Sequence, residues 1–501
     1  MIEAKSSYRQ VFKATSIFGG VQVFTILIGI IRTKIVAVLL GASGYGFMSL
    51  LNAPVGFINN LTGLGIDYSA IRDISAANET GDQVRVSTTL RTFRRWVWFT
   101  GLLGMFTVLI LSPRLSLWSF GNREYTWAFV LLSITLLIGS ISRGQSAVLR
   151  GMRRIKDTAK VGIWGSALGL LTSIPLYYYW GMKGIVPAII ISACTGLFLS
   201  WYFSRRVKTV PVEVSYGESF RQGKQMVKLG LMMTLTGLIG SGVSYFVIVF
   251  IGNVGGVSEV GLYNAGWTIT NHYVGLVFAA MAADYYPRLA GIQHDNFKIK
   301  EAVNQQAEIA ILIIAPIMLF YLTTLPLLVP LFYTQQFLDI IPFTQWVVLG
   351  MLFKAATWAM GFIILAKGDT LLFFLVEAIS NVLLLACNIG GYYLFGLQGI
   401  GIGFVVLYLL CFFPILTICR LKYGVVFSDI FFKMFIIQLC FCTIAFLVAY
   451  FFKYPAGYVS GGALLIVSSL YSYKELNNRI GIKEMILSRI VKRKNDYDGH
   501  I

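Results

Sequence analysis

Apolar stretches of about 20 residues recur from one end of the chain to the other, separated by short polar gaps. Each stretch is long enough to cross a ~30 Å hydrocarbon core as an α-helix. The pattern predicts fourteen helices, at 14–40, 45–72, 93–112, 126–149, 158–180, 184–204, 226–252, 260–287, 303–332, 340–366, 370–394, 398–419, 430–452 and 456–473. Segments of about ten residues that alternate apolar and polar, the mark of an outer-membrane barrel, are absent. The backbone must then be satisfied within helices, and the expected fold class is all-α, a polytopic membrane protein.

Composition agrees, with 57% hydrophobic and 13% charged residues among 501 and a mean hydropathy of +0.74. The basic residues before the first apolar run resemble a signal peptide. The run from Ala14 to Leu40 is too long for one and lacks a small-x-small cleavage site, so it reads as the first span. Lys and Arg collect on alternate loops and the span ends that flank them: only Arg114, Arg123, Lys183 and Lys453 fall on the other side, and Arg32, Lys34 and Lys354 are set apart as lying within spans. That asymmetry places both termini in the cytoplasm. The net charge of +19 is spread one loop at a time, as in "RGMRRIK" and "SRRVK", which makes anionic lipid headgroups, rather than nucleic acid, the expected partner. The tail "KELNNRIGIKEMILSRIVKRKN" reads equally as a basic helix on the cytoplasmic leaflet or as a solvated tail. All six cysteines lie in apolar segments, which excludes a disulfide framework.

Residues 50–64, "LLNAPVGFINNLTGL", and 262–276, "LYNAGWTITNHYVGL", align without gaps and share Leu50/Leu262, Asn52/Asn264, Ala53/Ala265, Asn59/Asn271, Gly63/Gly275 and Leu64/Leu276. The copies lie six spans apart and so run in the same direction. Parallel repeats of this kind build alternating-access transporters from two six-helix lobes. The expected organisation is an N-lobe at 1–206, a polar linker at 207–225, a C-lobe at 226–424, two further helices at 425–473 and a basic tail at 474–501. At 100° per residue, Asn52, Gly56, Asn59, Gly63 and Asp67 share one face of the second span. Asn264, Thr268, Asn271 and Gly275 share a face of the eighth, with His272 at its margin. Such stripes suit a close helix contact as well as a polar cavity, and their recurrence in both lobes favours the cavity.

Charges inside spans are candidates for function. Arg32 shares a narrow face with Gln22, Thr25 and Gly29, whereas Lys34 lies more than ~100° away and is expected to snorkel outward. Lys354 shares a face with Thr357, Trp358 and Gly361, and Glu377 shares one with Asn381 and Asn388. Lys354 and Glu377 either form a buried ion pair or act separately. Glu377, Asn381 and Asp67 are the candidates for ion coupling. Asp284 points toward the cytoplasmic end and is expected to partner a loop arginine. No Walker motif, HExxH or CxxC occurs, and there are only three histidines. ATP-driven or metal-dependent chemistry has no support, no cofactor is expected, and no large outer loop is present to house an enzyme active site.

The stretches "SSYRQVFKATSIFGGVQVFTILIGIIRTKIVAVLLGASGYGFMSLLN", "GLGIDYSAIRDISAAN" and "QSAVLRGMRRIKDTAKVGIWGSALGLLTSIPLYYYWGMKGIVPAIIISA" resemble O-antigen translocases. These are flippases of the polysaccharide-exporter branch of the multidrug/oligosaccharidyl-lipid/polysaccharide superfamily. The resemblance implies two six-helix lobes and translocation of a polyprenyl-diphosphate-linked oligosaccharide across a bacterial inner membrane. It further implies work alongside other polysaccharide-assembly proteins. Relatives commonly have twelve spans; the two extra here resemble those of lipid II flippases, where they help form a groove for the lipid tail. Arg32 matches the basic position such flippases carry in the first helix. Its guanidinium suits a diphosphate, because it offers bidentate donors and stays charged. The substrate-binding candidates are Arg32, Lys354, Asn52, Asn59, Asn264 and Asn271. A cation-coupled multidrug exporter of the same superfamily and, more remotely, a membrane glycan polymerase are the competing readings.

Overall fold

The computed structural model describes residues 2–451 and 456–480, with side chains from Phe24 onward apart from a few in the seventh and eighth helices and at Ala456 and Ile480. Among the described residues there is no strand, only α-helices joined by short turns. In chain order they are α1 (Ile2–Gly63), α2 (Ile66–Glu79), α3 (Gln83–Phe120), α4 (Thr126–Gly151), α5 (Ile155–Trp180), α6 (Ile185–Ser204) and α7 (Tyr216–Gly255). There follow α8 (Val257–Gly291), α9 (Asn296–Phe332), α10 (Ile340–Ala366), α11 (Thr370–Tyr423), α12 (Asp429–Phe451) and α13 (Ala456–Ile480).

Two of these helices each hold two spans. α1 breaks at Gly41 (φ 66°, ψ −168°), and α11 breaks at Phe395 and Gly396 (φ 58°). Positive φ is open to glycine without the Cβ penalty that other residues carry. The two arms of α11 return against one another so closely that a Cβ on Gly399 would fall 1.8 Å from the Gly391 carbonyl oxygen. Divided at these breaks, and with α2 continuing the second span, the helices give the fourteen spans expected. Nine described helical segments are long and apolar enough to cross a membrane, and three of them, Phe24–Gly63, Ile155–Ser204 and Thr370–Tyr423, are long enough to cross twice. The protein is a multi-pass membrane protein.

Local chemistry sets the helix starts. Asp82 accepts hydrogen bonds from the Val84 and Arg85 amides at 2.8 and 3.2 Å, opening α3. Ser215 accepts from the Glu218 amide at 3.1 Å, opening α7 with the Ser-x-x-Glu pattern of a capping box.

The chain forms two compact units, one comprising the residues up to Asn264 with Pro330–Phe337, the other Ala265–Val329 and the residues from Leu338. The first unit has a core where Ile74, Leu90, Phe93, Val148 and Phe203 meet. A second core joins Phe47, Leu51, Leu115, Phe129 and Tyr177. α7 packs into this unit rather than standing apart from it, its Gly230 against the backbone of Leu64 and Gly65. The polar linker is strapped along α3: the Val210 amide donates to Ser87 Oγ at 3.0 Å, Arg91 donates to the Val212 carbonyl, and Arg95 donates to the Ser215 carbonyl at 2.9 Å. The second unit is built around α10, whose Val347, Leu352, Ala356, Met360 and Ile363 are fully covered. α12 packs on α10 through Phe446 against Trp346, and α13 packs on α9 at Gly461 and Thr323. A buried hydrogen-bond chain ties α12 to α13, with Gln438 Nε2 donating to Ser472 and Ser468 donating to Gln438 Oε1 at 2.8 and 2.7 Å.

Candidate functional site

Each unit carries a cavity lined in part by charged side chains. In the first unit a cavity of about 340 Å³ is lined by Asn59, Asn60, Asp67, Arg143, Arg150 and Thr234, among others. Arg143 of α4 organises it. Its guanidinium donates to Asn59 Oδ1 at 2.6 Å and to Ser140 Oγ at 3.1 Å, and it lies 3.4 Å from Asp67 Oδ2. The local fold makes this meeting possible. The second span, expected as one helix through residue 72, breaks at Leu64 and Gly65, both at positive φ (51° and 61°). The break re-aims α2, and with it Asp67, toward Arg143. A left-handed conformation in a leucine costs roughly 1–2 kcal/mol, and such local strain collects at functional positions. Arg143 and Arg150, seven residues apart, lie on one face of α4. Two guanidiniums against one carboxylate leave a surplus of positive charge.

In the second unit a cavity of about 430 Å³ is lined by Lys354, Trp358, Glu377, Asn381, Tyr408 and Cys411, among others. Lys354 and Glu377 thus share a cavity, yet no ion pair links them, nor does one join either to another charge among the described residues. The Lys354 ammonium instead lies over the rings of Phe278, Tyr408 and Phe404, at 5.5, 5.8 and 5.9 Å from their centroids, where the negative ring faces attract a cation. Asn381 spends one amide proton on the Glu377 carbonyl, at 2.8 Å within its own helix. Asn388, on the same face, is buried, and its Oδ1 has no partner among the described residues.

The sequence from residue 35 to 342 matches the family described as polysaccharide biosynthesis protein. The chain belongs to that family. Among curated proteins, this polysaccharide biosynthesis protein is 24% identical over 306 residues to a Shigella flexneri protein assigned as an O-antigen transporter, covering 60% of this chain and 71% of that one. It is 21% identical over 369 residues to the lipid III flippase of Escherichia coli, covering 71% of this chain and 85% of that one. Its fold is similar to that of an inward-facing multidrug resistance MATE transporter of the MOP superfamily, with a TM-score of 0.65 at 17% identity over 79% of this chain and 96% of that one. It is also similar to that of the lipid II flippase MurJ in an inward closed conformation, with a TM-score of 0.62 at 12% identity over 92% and 99%.

The family protein's remaining candidates fall as follows. Arg32 is half-buried, with no hydrogen bond or ion pair among the described residues. Asn52 and Asn271 are exposed. Asn264 donates to the Val260 carbonyl of its own helix at 3.1 Å. The side chains of Gln22, His272 and Asp284 lie outside the described residues. Lys34 corrects an expectation. It does not snorkel outward but donates to the carbonyls of Pro330, at 2.7 Å, and Tyr333, at the end of α9. The C-terminal carbonyls of a helix lack internal partners, and a cation there is favoured by the helix dipole.

Arg143 and Arg150 are the site residues that the sequence reading passed over. Near the inner end of a span, an arginine looks like an ordinary positive-inside residue. The available signal was the small and polar face of α4 formed by Ser140, Arg143, Ala147 and Arg150, which an apolar span would otherwise fill with large aliphatic side chains.

Proposed function

We propose that this protein is a flippase, a transporter and not an enzyme, that moves a polyprenyl-diphosphate-linked oligosaccharide from the cytoplasmic to the outer leaflet of a bacterial inner membrane by alternating access. Both termini are cytoplasmic in this reading, and transport is coupled to an ion gradient. The carrying observation is the Arg143 cluster, a water-accessible pocket with surplus guanidinium charge inside a membrane protein whose family makes polysaccharides. A diphosphate needs such donors when it leaves water, and guanidinium forks meet phosphate oxygens in pairs. The relatives named for O-antigen and lipid III supply the substrate class.

In this scheme Arg143 and Arg150 hold the diphosphate, Arg32 offers a further guanidinium with no hydrogen bond or ion pair among the described residues, and the asparagines of the repeated stripes hydrogen-bond the sugar. Lys354 serves the anionic headgroup in the second unit, while Glu377, with Asn381, carries the coupling ion. Asp67 tunes Arg143. Lys354 gives an anion a partner in the second unit, and the surplus guanidinium charge around Arg143 disfavours a cationic drug, which separates this reading from multidrug export.

The test is the leaflet in which lipid-linked oligosaccharide accumulates when the protein is lost. Inner-leaflet units support the flippase; unpolymerised outer-leaflet units would make it a polymerase. In proteoliposomes, Arg32→Ala should abolish flipping and Arg32→Lys should retain part of it. Losing one charge-assisted contact of about 1.5–3 kcal/mol weakens headgroup binding roughly 10- to 150-fold. Undiminished binding by Arg32→Ala would remove Arg32 from the site.

A further inference from the structure

A second, apolar concavity in the first unit belongs to neither polar cavity. It has a volume of about 780 Å³ and runs between α3 and α6 over a floor of α4. α3 packs close on that floor at Gly144, where a Cβ would fall 2.8 Å from Val97. Its two walls carry the same pair in mirror order. On α3, Arg94 sits at the cytoplasmic mouth with Trp98 one turn deeper; on α6, Arg205 sits at the mouth with Trp201 one turn deeper. Arg205 lies over the Trp201 ring at 4.9 Å. Trp98 and Trp201 are exposed, so this is an outward face of the unit.

Arg94 stands out from its neighbours. Arg91 and Arg95 are both occupied in strapping the linker to α3, whereas Arg94 makes no hydrogen bond or ion pair among the described residues. No carboxylate lines the groove. From Cys194 to Arg205 the α6 wall extends about 16 Å at 1.5 Å per residue, close to half of a ~30 Å hydrocarbon core. Two cations at the headgroup level, two interfacial tryptophans below them and an apolar trough one leaflet deep match an amphiphile with a negative head.

We propose that this groove binds an anionic phospholipid of the cytoplasmic leaflet, its phosphate held by Arg94 and Arg205 and one acyl chain laid between Trp98 and Trp201. The occupant is a resident diacyl lipid, not the transported one. The trough is open along an outward face, and two of the neutral polar side chains that line it are already engaged: Gln145 Oε1 accepts from Ser200 at 2.6 Å and Ser204 donates to the Trp201 carbonyl at 3.3 Å.

The experiment titrates the purified full-length protein in detergent with phosphatidylglycerol and phosphatidylcholine of identical chains, and reads bound lipid by native mass spectrometry. The parent should prefer phosphatidylglycerol, and Arg94→Gln with Arg205→Gln should weaken that binding roughly 10- to 30-fold, at about 1 kcal/mol per basic group near the surface. Arg221→Gln, on α7 and outside the lining of the groove, should leave it unchanged. Equal binding of the two lipids by the parent overturns the proposal, as does undiminished preference in the double variant. If that variant fails to fold, bromine-labelled phosphatidylglycerol decides. It must quench the parent's tryptophan fluorescence more than bromine-labelled phosphatidylcholine does, and Trp98→Phe with Trp201→Phe must remove the difference. Displacement of phosphatidylglycerol by a polyprenyl diphosphate at equal concentration would make the groove a substrate site, contrary to the proposal.

Discussion

The Arg143 guanidinium donates to Asn59 Oδ1 at 2.6 Å, joining α4 to the very asparagine that recurs, as Asn271, in the internal repeat. In the first unit the repeated face therefore holds a charge rather than forming a bare helix seam. Arg143→Ala should weaken binding of a soluble diphosphate-sugar headgroup by roughly 10- to 150-fold while the protein reaches the membrane at normal abundance. Arg143→Gln with Asp67→Asn removes the ion pair symmetrically and should fold well yet transport poorly. Restored transport in that double variant would show the cluster to be a strut only.

Lys34 is expected to matter for stability, not for transport. Lys34→Met strips the end of α9 of its cation and leaves the Pro330 and Tyr333 carbonyls short of a donor. It should lower stability by about 1–2 kcal/mol, read as a fall in melting temperature in detergent, with flipping per folded molecule unchanged. Loss of flipping at parental stability would place Lys34 on the transport route.

Glu377 and Lys354 share a cavity without pairing, so their replacements should act independently. In a double-mutant cycle, Glu377→Gln and Lys354→Met should add in stability to within about 0.5 kcal/mol. Glu377→Gln alone should abolish the dependence of transport on the ion gradient. A large coupling energy, with transport restored in the double variant, would reveal a structural pair and end the coupling role.

Asp369, in the turn between α10 and α11, takes a hydrogen bond from Lys422 and another from Tyr423 at 3.0 Å. The Lys422 ammonium, foremost, holds its carboxyl below the usual carboxylate range. A carboxyl depressed on folding contributes stability above its unfolded pKa of about 3.9, and that contribution fades as pH falls through the folded value. The stability difference between parent and Asp369→Asn should be constant from neutral pH to about pH 5 and shrink below about pH 4. Melting curves across that range check it; a difference that grows on acidification would contradict the assignment.

Sequence alone determined the class of this protein and its spans, because a helix needs about 20 apolar residues to cross a hydrocarbon core and the alternating segments of a barrel, the other spanning structure, are absent. The parallel repeat, Arg32 as an embedded cation and the polar stripes through Asn59 and Asn381 were legible for the same reason, since polar groups at depth stand out against an apolar background. Only the tertiary structure decided what those groups meet. Lys34 and Pro330 are 296 residues apart, and no periodicity reports which helix end a lysine will reach. Arg143 looked like an ordinary cation near the end of its span until the break at Leu64 and Gly65 brought Asp67 beside it. Lys354 and Glu377 lie on facing helices with complementary charge, yet the rotation of α10 turns the ammonium onto Phe278, Phe404 and Tyr408 instead. Helix rotation and kink direction are set by packing between segments distant in the chain, and a one-dimensional pattern carries the depth of a side chain in the membrane but not its neighbour.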